Sequence, residues 1–243
     1  MNGAIEELYV YMNHLLAHEL EAMPLEVPSD LASIEGEFKG RKVCMKSKAW
    51  ETPLYRYIRY TGLESEGKLS TFNFVIYPRS CYDAPIFASD WVVNQQQLRI
   101  AVMDAMPLFP EEDAYKDKWV APFSGLGQKS QELAPVFDRK LSWSTKYLGE
   151  NACLATGVPS DRLSPLVRLW KSYLHLYLYI TANLSQVSPK RQTRVEEWHR
   201  RYNSDHKDVE NKRNPYMVYF GEEMGRRYNE EFLFPDRIYF PSK

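Results

Sequence analysis

Two aspartates sit in surroundings where carboxylates are seldom left: Asp90 within PIFASDWVV and Asp104 within IAVMDAMPL. Strand geometry would hold either one against a sheet, where burial disfavours the charged form and raises the pKa. A carboxyl raised toward neutrality can hand over a proton as a general acid. From either residue alone the plainer description takes precedence, a satisfied buried aspartate that caps a neighbouring turn. The histidines are His14, His18, His175, His199 and His206. His14 and His18 have the i, i+4 spacing of two ligands on one helix face. They lack a third ligand or a neighbouring catalytic carboxylate, which predicts a solvated or half-buried pair. His175, in an apolar helix, reads as a hydrogen-bonded core residue. Cys44, Cys81 and Cys153 are widely spaced and odd in number, with no CxxC or Cys/His cluster, so neither a disulfide framework nor a metal is expected. The sequence has no P-loop, GxGxxG, GxSxG or HExxH motif, which leaves nucleotide hydrolysis, Rossmann redox, α/β-hydrolase and zincin chemistry without support.

The elements that must position these groups follow from periodicity. Ile5, Leu8, Tyr9, Met12, Leu15 and Leu16 recur at helical spacing and predict an amphipathic helix over residues 4–22. Residues 55–60, 69–77, 87–93 and 98–103 are short runs rich in β-branched and aromatic side chains, divided by turn signals. Strands joined tightly without helices between them imply an antiparallel sheet. Helical patches are expected over 111–138 and another strand within 146–156. Ser164 and Pro165 read as N-cap and first position of the strongest helix, whose buried face is marked by Leu166, Leu169, Trp170, Tyr173, Leu174, Tyr177 and Leu178. A basic helix over 189–202, a polar loop SDHKDVENKRNP and a short helix over 216–228 complete the chain. The fold class is α/β, a three-layer α/β/α sandwich with a central antiparallel β-sheet, in a single domain over 1–243.

Composition bounds the function. The 243 residues carry 31 basic against 32 acidic side chains, which speaks against a dedicated nucleic-acid binder. No apolar run approaches the roughly 18 residues of a membrane span. The opening MNGAIEELYVYMNHLL lacks a basic segment followed by an apolar one, so a cytoplasmic protein is expected, or a plastid one in a eukaryote. Aromatics reach 14%, which suits a sheet-rich core or a pocket for a flat conjugated ligand. No heptad repeat suggests assembly, and a monomer is expected.

YPRSCYDAPIFASDWVV followed by LRIAVMDAMPLFP resembles the ferredoxin-dependent bilin reductase family. Two further matches fall in order: WETPLYRY resembles the family's early Thr-Pro…Arg segment, and YFGEEMGRRYNEEFLFP its closing helix and Phe-Leu-Phe signature. The resemblance spans about residues 45–236 and is weaker over 111–160. It implies an α/β/α sandwich and a bilin, typically biliverdin IXα, held between the sheet and the C-terminal helices. It further implies no bound cofactor, single electrons from reduced ferredoxin, and protons from side chains and water.

By position the resemblance makes Asp90 the proton-donating aspartate. Asn73 stands where phycocyanobilin-forming members have histidine, and Thr61 where they have a catalytic glutamate. A neutral amide can hydrogen-bond a lactam or pyrrole but cannot shuttle a proton, which throws proton delivery onto Asp90. Asp208 is the candidate for a second acid in the C-terminal loop, with Glu210 or Asn211 selected by other gap placements. Arg139 and Lys212 fall near the family's propionate-binding positions, where a carboxylate-bearing ligand needs cations. Trp143 packs on the tetrapyrrole or in the core. Lys190, Arg191, Arg194, Arg200 and Arg201 either steer an acidic ferredoxin or form a salt-bridged face with Glu196 and Glu197. The resemblance therefore implies reduction of biliverdin IXα to a phytobilin through bilin radicals. The alternatives are a reductase of 15,16-dihydrobiliverdin, a non-catalytic bilin carrier, or a reductase of chlorophyll catabolites.

Overall fold

The computed structural model describes residues 2–135, 146–213 and 215–235, the side chains of 211–213 excepted. Helix α1 (Gly3–His18) leads, its first turn capped by the Asn2 side chain, which accepts from the Ala4 N–H. Strands β1 (Met23–Leu25) and β2 (Ser33–Glu37), with the short helix α2 (Ser29–Ala32) between them, both pair with β3 (Lys42–Glu51). Then β4 (Tyr55–Ser65), β5 (Leu69–Pro78), β6 (Ile86–Asn94) and β7 (Leu98–Met106) follow in antiparallel neighbours. After α3 (Asp113–Trp119) and α4 (Ser124–Leu133), β8 (Cys153–Ala155) closes the far edge against β7. Helices α5 (Ser164–Thr181), α6 (Pro189–Arg213), α7 (Pro215–Phe220) and α8 (Glu222–Tyr228) follow, and a π-helical turn over Asn229–Leu233 leads to Pro235, the last described residue.

Period-two alternation gives the sheet two unlike faces. Phe72, Phe74 and Ile76 of β5, with Phe87, Trp91 and Val93 of β6, pack against α1 and α5. Trp170 of α5 meets Phe72 and Phe74 edge-on, at 5.4 and 6.3 Å between centroids. On the other face Val75, Ala88 and Met106 pack with Tyr202 of α6, Tyr228 of α8 and Phe232. Helices on both sides of an antiparallel sheet make the α/β/α sandwich expected from periodicity.

Several elements differ from expectation. The polar loop after residue 202 is instead the continuation of α6 to Arg213. Its polarity belongs to one helix face, while Tyr202, His206 and Glu210, four residues apart, carry the other toward the sheet. The helix over 216–228 is broken at Gly221, whose φ of 90° is a conformation that side-chain-bearing residues avoid. Gly225 then lets α8 lie against α7, since a Cβ there would sit 2.5 Å from Met217. Helix α5 begins on Ser164 itself, after Leu163, so Ser164 is not its cap. β1 and β2 escaped notice because they are short, mostly exposed edge segments that owe their form to pairing with β3. His175 lies off the buried stripe of α5; it is exposed, its Nε2 against the Tyr11 hydroxyl.

Candidate active site

Alternate residues of β4 to β7 point to the α6 side, where they floor a cavity of about 370 Å³ roofed by α6, α7 and the Leu233–Phe234 segment. The polar floor is small. Arg59 of β4, Asn73 of β5 and Asp90 of β6 stand among Val75, Ala88, Val92, Ile100 and Val102. Register explains the grouping: Asn73 pairs with Thr61 on one side and Asp90 on the other, and Arg59 lies two residues from Thr61 on the same face.

These side chains form a chain of donors and acceptors. Arg59 Nη1 donates to Asn73 Oδ1 at 2.5 Å, and Asn73 Nδ2 donates to Asp90 Oδ1 at 3.3 Å. Asp90 keeps part of its surface open to the cavity. Burial raises its pKa, opposed by the Asn73 hydrogen bond and the Arg59 charge. Glu210 reaches the same cavity from α6, and burial, together with the charge of Asp90, pushes its carboxyl up to about 7. His206, one turn earlier, is held down to about 4 by burial, while its Nδ1–H donates to the Tyr202 carbonyl at 2.8 Å. A neutral imidazole, two carboxyls raised toward neutrality and a guanidinium thus share one largely apolar space, a setting in which protons can be held and released.

Of the expected site residues, Asp90 and Asn73 come together. Asp208 is exposed and does not line the cavity; Glu210, two residues on, does. Asn211 and Lys212 lie in the last turn of α6, their side chains outside the described residues, as are Arg139 and Trp143 altogether. Thr61 is fully buried, bonded to the Tyr228 hydroxyl at 2.6 Å, and lines no part of the cavity. Asp104 follows the plainer reading, since its buried carboxylate accepts the Gly149 N–H at 2.6 Å. His14 and His18 are exposed, ring centroids 4.7 Å apart, and among the described residues no group of three His, Cys, Asp or Glu side chains is placed to hold a metal. No described helix is long and apolar enough to cross a membrane.

Arg59 and His206 were not singled out from sequence. A lone arginine alternating with apolar residues in YIRYTG, and a Tyr-His-Glu stripe at helical spacing, are the signals that mark them.

The family model described as ferredoxin-dependent bilin reductase matches residues 11–235. The chain belongs to that family. This bilin reductase is 27% identical over 195 residues to the 15,16-dihydrobiliverdin:ferredoxin oxidoreductase of Nostoc punctiforme, covering 80% of each chain. It is 28% identical over 232 residues to the phycoerythrobilin:ferredoxin oxidoreductase of Gloeobacter violaceus, covering 90% of each. The structure of phytochromobilin synthase from tomato in complex with biliverdin matches with a TM-score of 0.78 over 93% of this chain and 82% of that one, at 18% identity, a likeness of fold. The protein is accordingly an oxidoreductase that reduces a bilin with electrons from ferredoxin.

Proposed function

We propose that this bilin reductase reduces biliverdin IXα in the cavity between the sheet and α6, with Asp90 delivering a proton from the sheet face and Glu210 serving as a second acid from the helix face. The observation that carries the reading is the placement of two carboxyls, both raised by burial, on opposite walls of one apolar cavity. Its volume lies within the range of about 300–1,000 Å³ usual for small-molecule sites. Each double bond reduced takes two electrons and two protons. Reduced ferredoxin supplies the electrons one at a time, so the bilin passes through a radical between them. Each added electron makes the conjugated system more basic, and a nearby carboxyl that burial keeps protonated to higher pH is a competent donor. A carrier would have no use for such a carboxyl, whose burial costs on the order of a few kcal/mol.

The Nostoc relative's name favours 15,16-dihydrobiliverdin as a second reading of the substrate. One anaerobic experiment addresses both. Purified protein, a ferredoxin reducing system and either bilin are followed by visible absorption, beside Asp90→Asn. The expected result is consumption of biliverdin by the wild type and a loss of about 100-fold or more in the variant. Turnover of the dihydro compound alone would transfer the reading to that substrate. Undiminished turnover by Asp90→Asn would remove Asp90 from the mechanism.

A further inference from the structure

We propose that Arg59 is a positioning residue for this chemistry, acting through Asn73: it fixes the amide so that an N–H faces Asp90, and thereby sets the pH at which that carboxyl gives up its proton. The inference rests on Asp90 being the donor. Arg59 is 2% exposed, and among the described residues no carboxylate forms an ion pair with it. Among the described residues its Nε also finds no hydrogen-bond partner, so neither a salt bridge nor a saturated network accounts for the guanidinium there. Its short contact is to Asn73 Oδ1, at 2.5 Å.

A guanidinium has five donors and no acceptor. Turning the Asn73 amide over would set its NH2 against the Arg59 N–H and its oxygen against the Asp90 carboxylate, two repulsive contacts in place of two attractive ones. The amide therefore has one orientation, with Nδ2 toward Asp90 Oδ1 at 3.3 Å. That leaves Oδ2 as the oxygen free to meet a substrate. A donor aimed at a carboxylate favours its ionised form, against the burial that disfavours it. Without Arg59 the amide is free to turn, and its oxygen can then accept from the protonated carboxyl instead. The same residue type at position 73 would thus push the proton equilibrium the other way.

Other charged and titratable groups face Asp90. Glu210 and His206 stand across the cavity on α6, and Tyr216 on α7. Arg59 also acts on Asp90 directly through its charge, so a test must separate charge from orientation. Lysine would keep both the charge and a donor for the amide oxygen, so Arg59→Met, which removes both, is compared with and without the Asn73 amide, and the difference isolates orientation.

The experiment is an infrared titration of the Asp90 carboxyl in protein carrying isotope-labelled aspartate, assigned by difference against Asp90→Asn. Arg59→Met is made in the wild-type chain and in an Asn73→Ala background, with melting curves to establish that each is folded. The expected result is an upward shift of the Asp90 midpoint in both backgrounds from the lost charge, larger in the wild-type background than in the Asn73→Ala background by about one pH unit, tenfold in the proton equilibrium. Equal shifts in both backgrounds, or none in either, would overturn the inference. These outcomes stand apart from the donor assignment, which fails only if Asp90→Asn keeps full turnover.

Discussion

At the residue scale, the cavity's groups titrate in opposite senses. Glu210 has an ordinary value of 4.5 and is pushed up to about 7 in the folded chain. Below 4.5 it is protonated in both states. Between the two values the unfolded chain has released a proton that the folded chain retains, so stability falls as pH rises through this window. Glu210→Gln removes that dependence. Wild type and variant should therefore melt together near pH 4.5 and separate in the variant's favour by pH 7.5, by up to about 3 kcal/mol; equal melting temperatures at both pH values would mean the carboxyl is not desolvated. His206 has the reverse sign: its folded value of about 4 lies below 6.5, so its contribution is lost as pH falls through that interval. Over the interval the two share, the His206 loss on acidification opposes the Glu210 gain, so Glu210→Gln should be destabilised by acid more steeply than the wild type.

At the scale of elements, the sheet separates a packed face from a hollow one. Trp170 belongs wholly to the packed face, fully buried with its ring edge-on to Phe72 and Phe74. Trp170→Ala should lower stability by about 3–5 kcal/mol in urea unfolding. Below its melting temperature the variant should bind bilin as the wild type does, since no lining residue has changed. A loss of binding at equal folded fraction would show that the two faces are coupled. This division was largely legible in the sequence, because alternation of aromatic and polar positions over 69–77 and 87–93 states which residues share a face. Asp90 stood out for the same reason, as a charge inside that alternation. Glu210 did not, because it sits in a polar run whose helical stripe is only a tyrosine, a histidine and a glutamate. The eye reads such a run as a loop until the sheet supplies the apolar partner. Arg59 hid behind the ordinary expectation that arginines are exposed.

At the scale of the molecule, the basic helix α6 is less free than its composition implies. Arg191 donates twice to Glu112, at 2.8 and 2.7 Å, and to Asp83 at 3.2 Å, while Arg194 pairs with Glu112 at 2.7 Å. These bonds tie α6 to the segment before β6 and to the start of α3, so two of the five cations serve the fold. Arg191→Ala should lower stability by about 1–3 kcal/mol and leave the KM for ferredoxin within about twofold; a large rise in that KM at unchanged stability would return Arg191 to the docking face. Arg200 and Arg201, exposed and on the same helix, are the better places to look for such an effect.

The alternation of the central strands has one more consequence. Cavity-facing and core-facing residues largely alternate along β5 and β6, Ser89 excepted, so nearly every second codon of these segments addresses the cavity and the codons between address the packed face. A gene of this kind can be rewritten at the first set while the second is left alone. Divergence between bilin specificities within one scaffold then needs no insertion, no new loop and no loss of the fold along the way.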